Sequence, residues 1–178
     1  MIIVKTKFKD LFLYKKNTFK DNRGYFRELF IEKLIKKKFP FDIMSYSKKN
    51  VLRGLHMQTK NPQEKIITVT HGKIFDVAVD IRKNSPTYGK WVGEILSNEN
   101  HRSLYIPEGF AHGFSVLSEE ADVFYKVNKE YSQETEAGII WNDPTMNIPW
   151  SIKQPIISEK DNSLPLLKNI DANFTYDQ

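Results

Sequence analysis

The chain has 178 residues, a length that suits a single domain with a buried core. Its formal net charge is +5, but the lysines that supply most of this charge are scattered rather than interleaved with aromatic residues, which argues against a nucleic-acid partner. A small anionic ligand is compatible with this charge. The sequence has no apolar run near the ~20 residues of a membrane span, no N-terminal pattern of a signal peptide and no cysteine for disulfides or thiolate metal sites, so we expect a soluble cytoplasmic protein.

The N-terminal part of the chain predicts short strands, a turn and a helix. Residues 2–14 alternate loosely between apolar and polar side chains, which favours one or two short strands. Residues 19–28 contain an Asp-Asn-Arg-Gly turn flanked by aromatic and charged residues. Residues 29–39 place apolar side chains three and four positions apart, which predicts a short amphipathic helix that ends at Pro40.

The rest of the chain predicts mostly strands. From Ile43 onward we predict them at residues 50–58, 65–70, 73–82, 90–96, 103–106, 113–117 and 121–128. His71 and Gly72 lie between two of these strands and predict a tight hairpin turn. Because the strands are short and do not alternate with helices, they favour an antiparallel sandwich or barrel. After Trp141 the prolines predict an irregular segment that wraps over the barrel. We expect a single domain of residues 1–178, in which residues 170–178 fray.

The segment of residues 51–58, with the sequence Val-Leu-Arg-Gly-Leu-His-Met-Gln, is the first candidate for chemistry. Histidine has an unperturbed pKa of ~6.5 and can exchange protons near neutrality. No second histidine follows His56 closely enough in the chain for a chelating pair, so a metal site with several histidines is not expected. His56 is therefore either an acid or base in a reaction or a hydrogen-bonded histidine of the core.

Arg53 and His56 can face the same pocket only if their strand is irregular. In a regular strand, Arg53 and His56 point to opposite faces because they are three residues apart. Gly54 lies between them, and glycine inside a strand often marks a bulge. We therefore predict an irregularity at Gly54 that brings Arg53 and His56 into one pocket.

Several further residues are candidates, each with a purely structural alternative; they are Lys65, Asp76, Asp80, His112, Tyr125 and Asp161. Asp76 and Asp80 share one face of a strand, so both charges would be buried unless a cationic partner met them. His112 lies in an aromatic, glycine-rich loop that it could simply fill. Tyr125 could be one more strand-forming residue.

Six motifs occur in one order along the chain, at residues 19–28, 51–56, 75–82, 106–114, 125–126 and 158–161. With these motifs the chain resembles the dTDP-4-dehydrorhamnose 3,5-epimerase family of nucleotide-sugar epimerases. The resemblance implies an all-β, cupin-type antiparallel sandwich or jelly roll with one short N-terminal helix and an irregular C-terminal wrap. It also implies a homodimer that acts without metal or organic cofactor. The implied reaction inverts C3 and C5, or C3 only, of a nucleoside-diphosphate 4-keto-6-deoxy sugar, by default dTDP-4-keto-6-deoxyglucose, for surface-glycan synthesis.

The resemblance also implies roles for single residues. His56 would remove a proton while Asp161 holds its ring, Tyr125 would return a proton from the other face, and Lys65 would stabilise the enolate. The implied substrate-binding residues are Arg23 and Glu28 near the nucleotide base, Phe19 and Phe26 as apolar or stacking surfaces, Arg53 at the diphosphate, His112 paired with Asp76 beside the sugar, and Tyr131, Glu136 and Lys160 lining the site.

The chain departs from the family pattern just before residues 51–58. The family commonly has Gln-Asp-Asn-His-Ser there, whereas residues 41–47 lack the glutamine and the asparagine; the loop after His56 is about one residue shorter, and Met57 replaces a common tyrosine. These departures bear on the substrate more than on the chemistry. They leave open a GDP-linked 4-keto-6-deoxy-heptose as substrate, a non-catalytic cupin module that binds a nucleotide sugar, and a 3,4-ketoisomerase.

Overall fold

The computed structural model describes residues 2–15, 17–171 and 173–176. Its strands, in chain order, are β1 (Ile2–Lys5), β2 (Phe12–Lys15), β3 (Thr18–Asp21), β4 (Gly24–Arg27), β5 (Phe41–Lys48), β6 (Leu52–Gln58), β7 (Lys65–His71), β8 (Lys73–Asp80), β9 (Trp91–Ser97), β10 (Arg102–Ile106), β11 (Phe110–Val116), β12 (Glu120–Val127) and β13 (Glu136–Gly138). Two four-residue helices, α1 (Glu32–Ile35) and α2 (Glu159–Asn162), and two 3-10 turns, Gln133–Thr135 and Leu167–Asn169, complete the elements.

The strands form two facing antiparallel sheets and a separate hairpin. The first sheet has the order β1-β2-β10-β7-β12-β5, the second has the order β13-β6-β11-β8-β9, and β3 pairs only with β4. This arrangement confirms the predicted all-β sandwich. Apolar side chains from both sheets fill the space between them, for example Ile67 and Val123 from the first sheet and Ile74 and Phe114 from the second.

A short helix forms within residues 29–39, as predicted, but it covers only Glu32–Ile35, so the predicted extent was wrong. α1 ends at Ile35, and the next residue, Lys36, adopts a left-handed conformation with φ of 57° and donates its backbone N–H to Glu32 O. Phe30 and Phe39 instead pack against the outer side of the first sheet, in a cluster with Tyr105. This tertiary packing outweighs the local pattern, since a helix of few turns has little stability of its own.

The hairpin predicted at His71 and Gly72 was also wrong. β7 ends at His71 and β8 begins at Lys73, but the two strands belong to different sheets, so Gly72 carries the chain from one sheet to the other. Gly72 has a φ of 78°, and a Cβ at this position would lie 2.0 Å from Glu120 O. The glycine is therefore required by the tight crossing rather than by a two-residue hairpin loop.

The segment after Trp141 wraps over the outer side of the second sheet, as predicted. The Trp150 ring N–H donates a hydrogen bond to Trp141 O (2.7 Å), and the Ser115 hydroxyl of β11 donates one to Trp150 O (2.7 Å). Asp143 Oδ2 accepts a hydrogen bond from the backbone N–H of Leu167 (2.7 Å). These bonds fix the path of the wrap, which brings α2 beneath β6.

Part of the segment predicted to fray lies against the sandwich. The backbone N–H of Lys83 donates to Phe174 O (2.7 Å), and Tyr176 N–H donates to Lys83 O (2.9 Å). Ala172, Asp177 and Gln178 lie outside the described residues. Across the described ranges, no helix combines the length and the apolar character needed to cross a membrane.

Candidate active site

A pocket opens between the two sheets and contains most of the predicted catalytic residues. Its walls come from both sheets: His56 and His112 lie on β6 and β11, whereas Lys65 and Tyr125 lie on β7 and β12. Arg53, Tyr131 and Glu136 also line it. A ligand bound in this pocket would therefore meet different side chains on its two faces.

The predicted irregularity at Gly54 is present and has the predicted effect. On β6 and β11, His56 lies opposite His112 while Arg53 lies opposite Phe114, so three steps on β6 match two steps on β11. Gly54 has a φ of 105°, and a Cβ there would lie 2.6 Å from His112 O. The extra residue changes the strand parity, and both Arg53 and His56 line the pocket.

Asp161 holds the His56 ring from beneath. His56 Nε2 donates a hydrogen bond to Asp161 Oδ1 (2.7 Å), and the Gly54 backbone N–H donates to Asp161 Oδ2 (3.0 Å). Burial alone would raise the pKa of Asp161, but the hydrogen bonds from His56 and Gly54 outweigh it and lower that pKa below its usual value. An ionised Asp161 assigns the proton to Nε2, which leaves Nδ1 of His56 as the unprotonated nitrogen.

The position of Asp161 depends on the start of α2. The Ser158 hydroxyl accepts a hydrogen bond from the Asp161 backbone N–H (3.1 Å), as expected for a residue that caps a helix N-terminus. This cap orients the first turn so that the Asp161 carboxylate, of which 5% is exposed, points into the sandwich. The C-terminal wrap thus carries Asp161, the hydrogen-bond partner of His56 on β6.

Lys65 presents a cation to the pocket from the facing sheet. Burial lowers the pKa of Lys65 from its ordinary value to about 8, although the negative charges of Glu136 and Asp76 act in the opposite direction. Among the described residues the Lys65 ammonium has no hydrogen-bond or ion-pair partner. Its donors are therefore available to an anionic or strongly polarised oxygen of a ligand.

Tyr125 and His112 lie close together deeper in the pocket. Burial raises the pKa of Tyr125, so this phenol is protonated at neutral pH. His112 Nε2 donates a hydrogen bond to Asp76 Oδ2 (2.8 Å), and the ring centroids of His112 and Tyr125 are 6.2 Å apart in an edge-on arrangement. The predicted pairing of Asp76 with His112 is present, while Asp80 is instead paired with Arg82 (2.8 Å) away from the pocket.

Glu136 forms a charged rim beside His56. Its Oε1 lies 3.9 Å from His56 Nδ1, and its Oε2 accepts hydrogen bonds from Tyr131 (2.6 Å) and from Lys160. Burial would raise the pKa of Glu136, but these hydrogen bonds outweigh it and lower the pKa. Tyr131 and Glu136 thus line the pocket, whereas Lys160 contacts Glu136 but does not itself line it.

The structure does not bring the N-terminal candidates to this pocket. Phe19, Arg23 and Phe26 lie on the separate hairpin of β3 and β4, where Phe19 and Phe26 are 58% and 69% exposed. Arg23 forms an ion pair with Asp21 (2.6 Å) and keeps 85% of its side chain exposed. Glu28, just after β4, does not line the pocket either. Within one chain these four residues therefore make no site with His56.

The pocket also contains residues that the sequence did not single out. Ile43 and Ser45 on β5 and Gln58 and Gln63 near the end of β6 line it. The alternation of β5 could have identified Ser45, since every second residue of a half-buried strand faces inward. Across the described part of the chain, no group of three or more His, Asp or Glu side chains is arranged to hold a metal ion.

Comparison with known proteins gives one consistent result. A family model described as dTDP-4-dehydrorhamnose 3,5-epimerase matches residues 5–169. The chain is 49% identical over 181 aligned residues to the dTDP-4-dehydrorhamnose 3,5-epimerase of Shigella flexneri, and the alignment covers 98% of this chain and 99% of that relative.

Solved structures of similar proteins have the same fold. The chain is similar to a dTDP-6-deoxy-D-glucose-3,5-epimerase from Legionella pneumophila Philadelphia 1 in complex with dTDP-4-keto-L-rhamnose, with a TM-score of 0.96, 44% identity and 99% of each chain covered. It is also similar to the dTDP-4-dehydrorhamnose 3,5-epimerase from Bacillus anthracis with TDP and PPi bound, with a TM-score of 0.90, 43% identity, and 93% of this chain and 98% of that chain covered.

Proposed function

The chain belongs to the dTDP-4-dehydrorhamnose 3,5-epimerase family and is an isomerase, and from this premise we propose that it inverts C3 and C5 of dTDP-4-keto-6-deoxyglucose. The substrate is supported by the relatives, one of which was solved with dTDP-4-keto-L-rhamnose and another with TDP. C3 and C5 both flank the C4 carbonyl, so removal of a proton from either carbon gives an enolate. Inversion then requires that the proton returns from the opposite face.

The observation that carries this proposal is that the base and the acid come from facing sheets. His56 lies on β6 of the second sheet and Tyr125 lies on β12 of the first, and both line one pocket. His56 Nδ1 accepts the proton from C3 or C5, and Asp161 stabilises the resulting imidazolium. The Tyr125 hydroxyl delivers a proton to the same carbon from the other side. Its phenolate is then reprotonated from solvent, and the His56 imidazolium releases its proton to solvent.

Lys65 and Arg53 stabilise the two negative parts of the bound species. The Lys65 ammonium meets the C4 oxygen as charge develops there, and a cation that is already in place requires little reorganisation. Arg53 lines the pocket and donates to Ser47 Oγ (2.9 Å) and to Tyr46 O (3.1 Å) through Nε and Nη2, and these bonds hold its guanidinium in place. We assign Arg53 to the diphosphate because its planar fork can donate two hydrogen bonds to one phosphate group.

Deuterium incorporation tests the proposed reaction directly. In heavy water, the protein should incorporate deuterium at C3 and C5 of dTDP-4-keto-6-deoxyglucose, and product NMR should show inversion at both carbons. Incorporation at C3 alone would identify a single-centre epimerase, and turnover of only a GDP-linked 4-keto-6-deoxy-heptose would identify the alternative substrate. A protein that binds the nucleotide sugar but incorporates no deuterium would be a non-catalytic module, and the proposal would be wrong.

The rate should fall as the pH rises above about 8, because Lys65 loses its charge there. The pKa of Lys65 is lowered to about 8, so the ammonium is charged below this pH and neutral above it. The measurement is kcat/KM for deuterium incorporation against pH. In Glu136→Gln the alkaline inflection should move to lower pH, since a negative charge that favours the ammonium has been removed. A profile that stays flat through this range in both proteins would contradict a role for the Lys65 charge.

We also propose that the active form is a homodimer in which each chain completes the other's site. The hairpin of β3 and β4 exposes Phe19, Phe26 and the Arg23 guanidinium, although the family motif assigns all three to substrate binding. Large exposed aromatic side chains next to one another are typical of protein interfaces. A second copy would bury this hairpin and place its Arg23 near a nucleotide.

Mixing two inactive variants distinguishes this arrangement from a self-sufficient chain. His56→Asn and Arg23→Ala homodimers, each with low activity, are mixed and allowed to exchange subunits. If the hairpin serves the partner's pocket, a mixed dimer contains one pocket with both His56 and Arg23. Random exchange makes half of the dimers mixed, so activity should recover toward about a quarter of that of a native sample. No recovery after confirmed subunit exchange, or a native chain that remains monomeric at assay concentration, would contradict the proposal.

A further inference from the structure

The inner face of β5 carries two hydroxyl groups that contact two different functional side chains. Ser45 and Ser47 are two residues apart, so both point into the sandwich, and β5 is the last strand of the first sheet next to β12. Ser45 falls at the serine of the family's Gln-Asp-Asn-His-Ser segment, but the roles implied above for single residues include neither serine. Each contacts one residue of the proposed reaction and not the other.

Ser45 contacts the proposed acid. The oxygen atoms of Ser45 and Tyr125 are 3.2 Å apart, and either hydroxyl can be the donor. In the register of the two strands Ile43 lies opposite Tyr125 and Ser45 lies opposite Val123, so the contact is a diagonal one on the inner face. Among the described residues, Ser45 is the hydrogen-bond partner of the Tyr125 hydroxyl.

Ser47 contacts the proposed diphosphate-binding residue. Its oxygen accepts a hydrogen bond from Arg53 Nε (2.9 Å), and Ser47 is only 3% exposed. Arg53 lies on β6, so this bond joins the two sheets. Two serines on the same face of β5 thus contact different residues: Ser45 contacts Tyr125, and Ser47 contacts Arg53.

We propose that Ser45 is a positioning residue that donates its hydroxyl hydrogen to the Tyr125 oxygen, so that the Tyr125 hydrogen points at the sugar. A tyrosine that must give its proton to carbon cannot also donate that proton to a neighbour. With Ser45 as the donor, the Tyr125 oxygen accepts the hydrogen bond, and the hydrogen of the Tyr125 hydroxyl remains available for the substrate. After the transfer the same bond stabilises the phenolate, since hydrogen bonds to charged groups are the stronger ones.

This inference rests on the proposed function, and it has a readout that a general structural defect would not change. His56 and Tyr125 act on opposite faces, so a displaced Tyr125 lets the enolate recapture a proton from the His56 side. In heavy water that return gives deuterated substrate without inversion. The ratio of deuterium in recovered substrate to inverted product therefore reports the efficiency of Tyr125 itself.

The experiment compares Ser45→Ala, Ser45→Thr and Ser47→Ala with the native protein. We expect Ser45→Ala to form inverted product roughly tenfold to a hundredfold more slowly, the scale of one lost hydrogen bond to a charged group, and to raise the ratio. Ser45→Thr keeps a hydroxyl and should restore both values toward the native ones. Ser47→Ala acts through Arg53, so it should raise KM and leave the ratio unchanged.

The outcomes separate this inference from the proposed function. If the native protein incorporates deuterium but Ser45→Ala has a native ratio and a native rate, Ser45 does not position Tyr125. Equal losses of exchange and inversion in Ser45→Ala would also overturn the inference, since they indicate a general defect of the pocket. If the native protein itself incorporates no deuterium into any 4-keto nucleotide sugar, the proposed function fails, and the inference fails with it.

Discussion

Replacement of His56 by asparagine is expected to lower kcat by about 10³- to 10⁴-fold, near the upper range for loss of a positioned base. Asp161 keeps its bond from the Gly54 backbone N–H (3.0 Å), but the asparagine side chain is too short to replace the 2.7 Å contact that His56 makes through Nε2. The asparagine has no basic nitrogen for the proton at C3 or C5. Both deuterium incorporation and product formation should therefore be lost, whereas binding of dTDP should be unchanged.

His71→Asn is the matched control for this substitution. His71 ends β7 on the protein surface, where 58% of its side chain is exposed and its ring nitrogen lies 3.4 Å from Glu120. Its replacement should leave turnover unchanged. If His56→Asn retained native incorporation of deuterium while circular dichroism and dTDP affinity matched the native protein, another group would have to be the base, and the assignment of His56 would be wrong.

Replacement of Tyr125 by phenylalanine should separate the two proton transfers. The ring still fills its place beside His112, with which it makes an edge-on contact at 6.2 Å, but the hydroxyl that returns the proton is absent. We expect product formation to fall by about 10²- to 10⁴-fold, the range for loss of a general acid. Deuterium should still enter the recovered substrate, because His56 remains able to remove and return a proton on its own face.

Tyr88→Phe serves as the control for removal of a phenol. Tyr88 lies between β8 and β9, is 43% exposed and does not line the pocket, so its variant should behave as the native protein does. Equal loss of exchange and inversion in Tyr125→Phe would assign Tyr125 to binding rather than to protonation. Full retention of product formation would show that the proton comes from another donor.

The sequence predicted the elements that depend on local pattern. The strands between Leu52 and Val127 follow from the alternation of apolar residues. The bulge at Gly54 follows from the position of this glycine between Arg53 and His56, which would face opposite sides of a regular strand. The family resemblance then named several residues that line the pocket, among them His56, Lys65 and Tyr125. The catalytic roles of His56, Tyr125 and Lys65 remain proposals, since geometry brings these side chains together without measuring turnover.

Other features could not be predicted because they depend on contacts between distant parts of the chain. Whether Gly72 closes a hairpin or crosses between sheets depends on which strands pair, and both arrangements need a glycine with positive φ. The length of α1 was set by packing of Phe30 and Phe39 against the first sheet. The hairpin of β3 and β4 was assigned to the site by its motif, yet one chain leaves it apart from the pocket.

The sequence by itself therefore determined the sandwich and the candidates for reactive side chains, because strand periodicity and motifs are properties of neighbouring residues. The tertiary structure alone decided their geometry. It joined His56 to Asp161 across 105 residues, set Tyr125 on the sheet that faces His56, and placed Ser45 against the Tyr125 hydroxyl. Such contacts arise only when the two sheets close on each other, since no local pattern specifies which side chains will meet across the space between them.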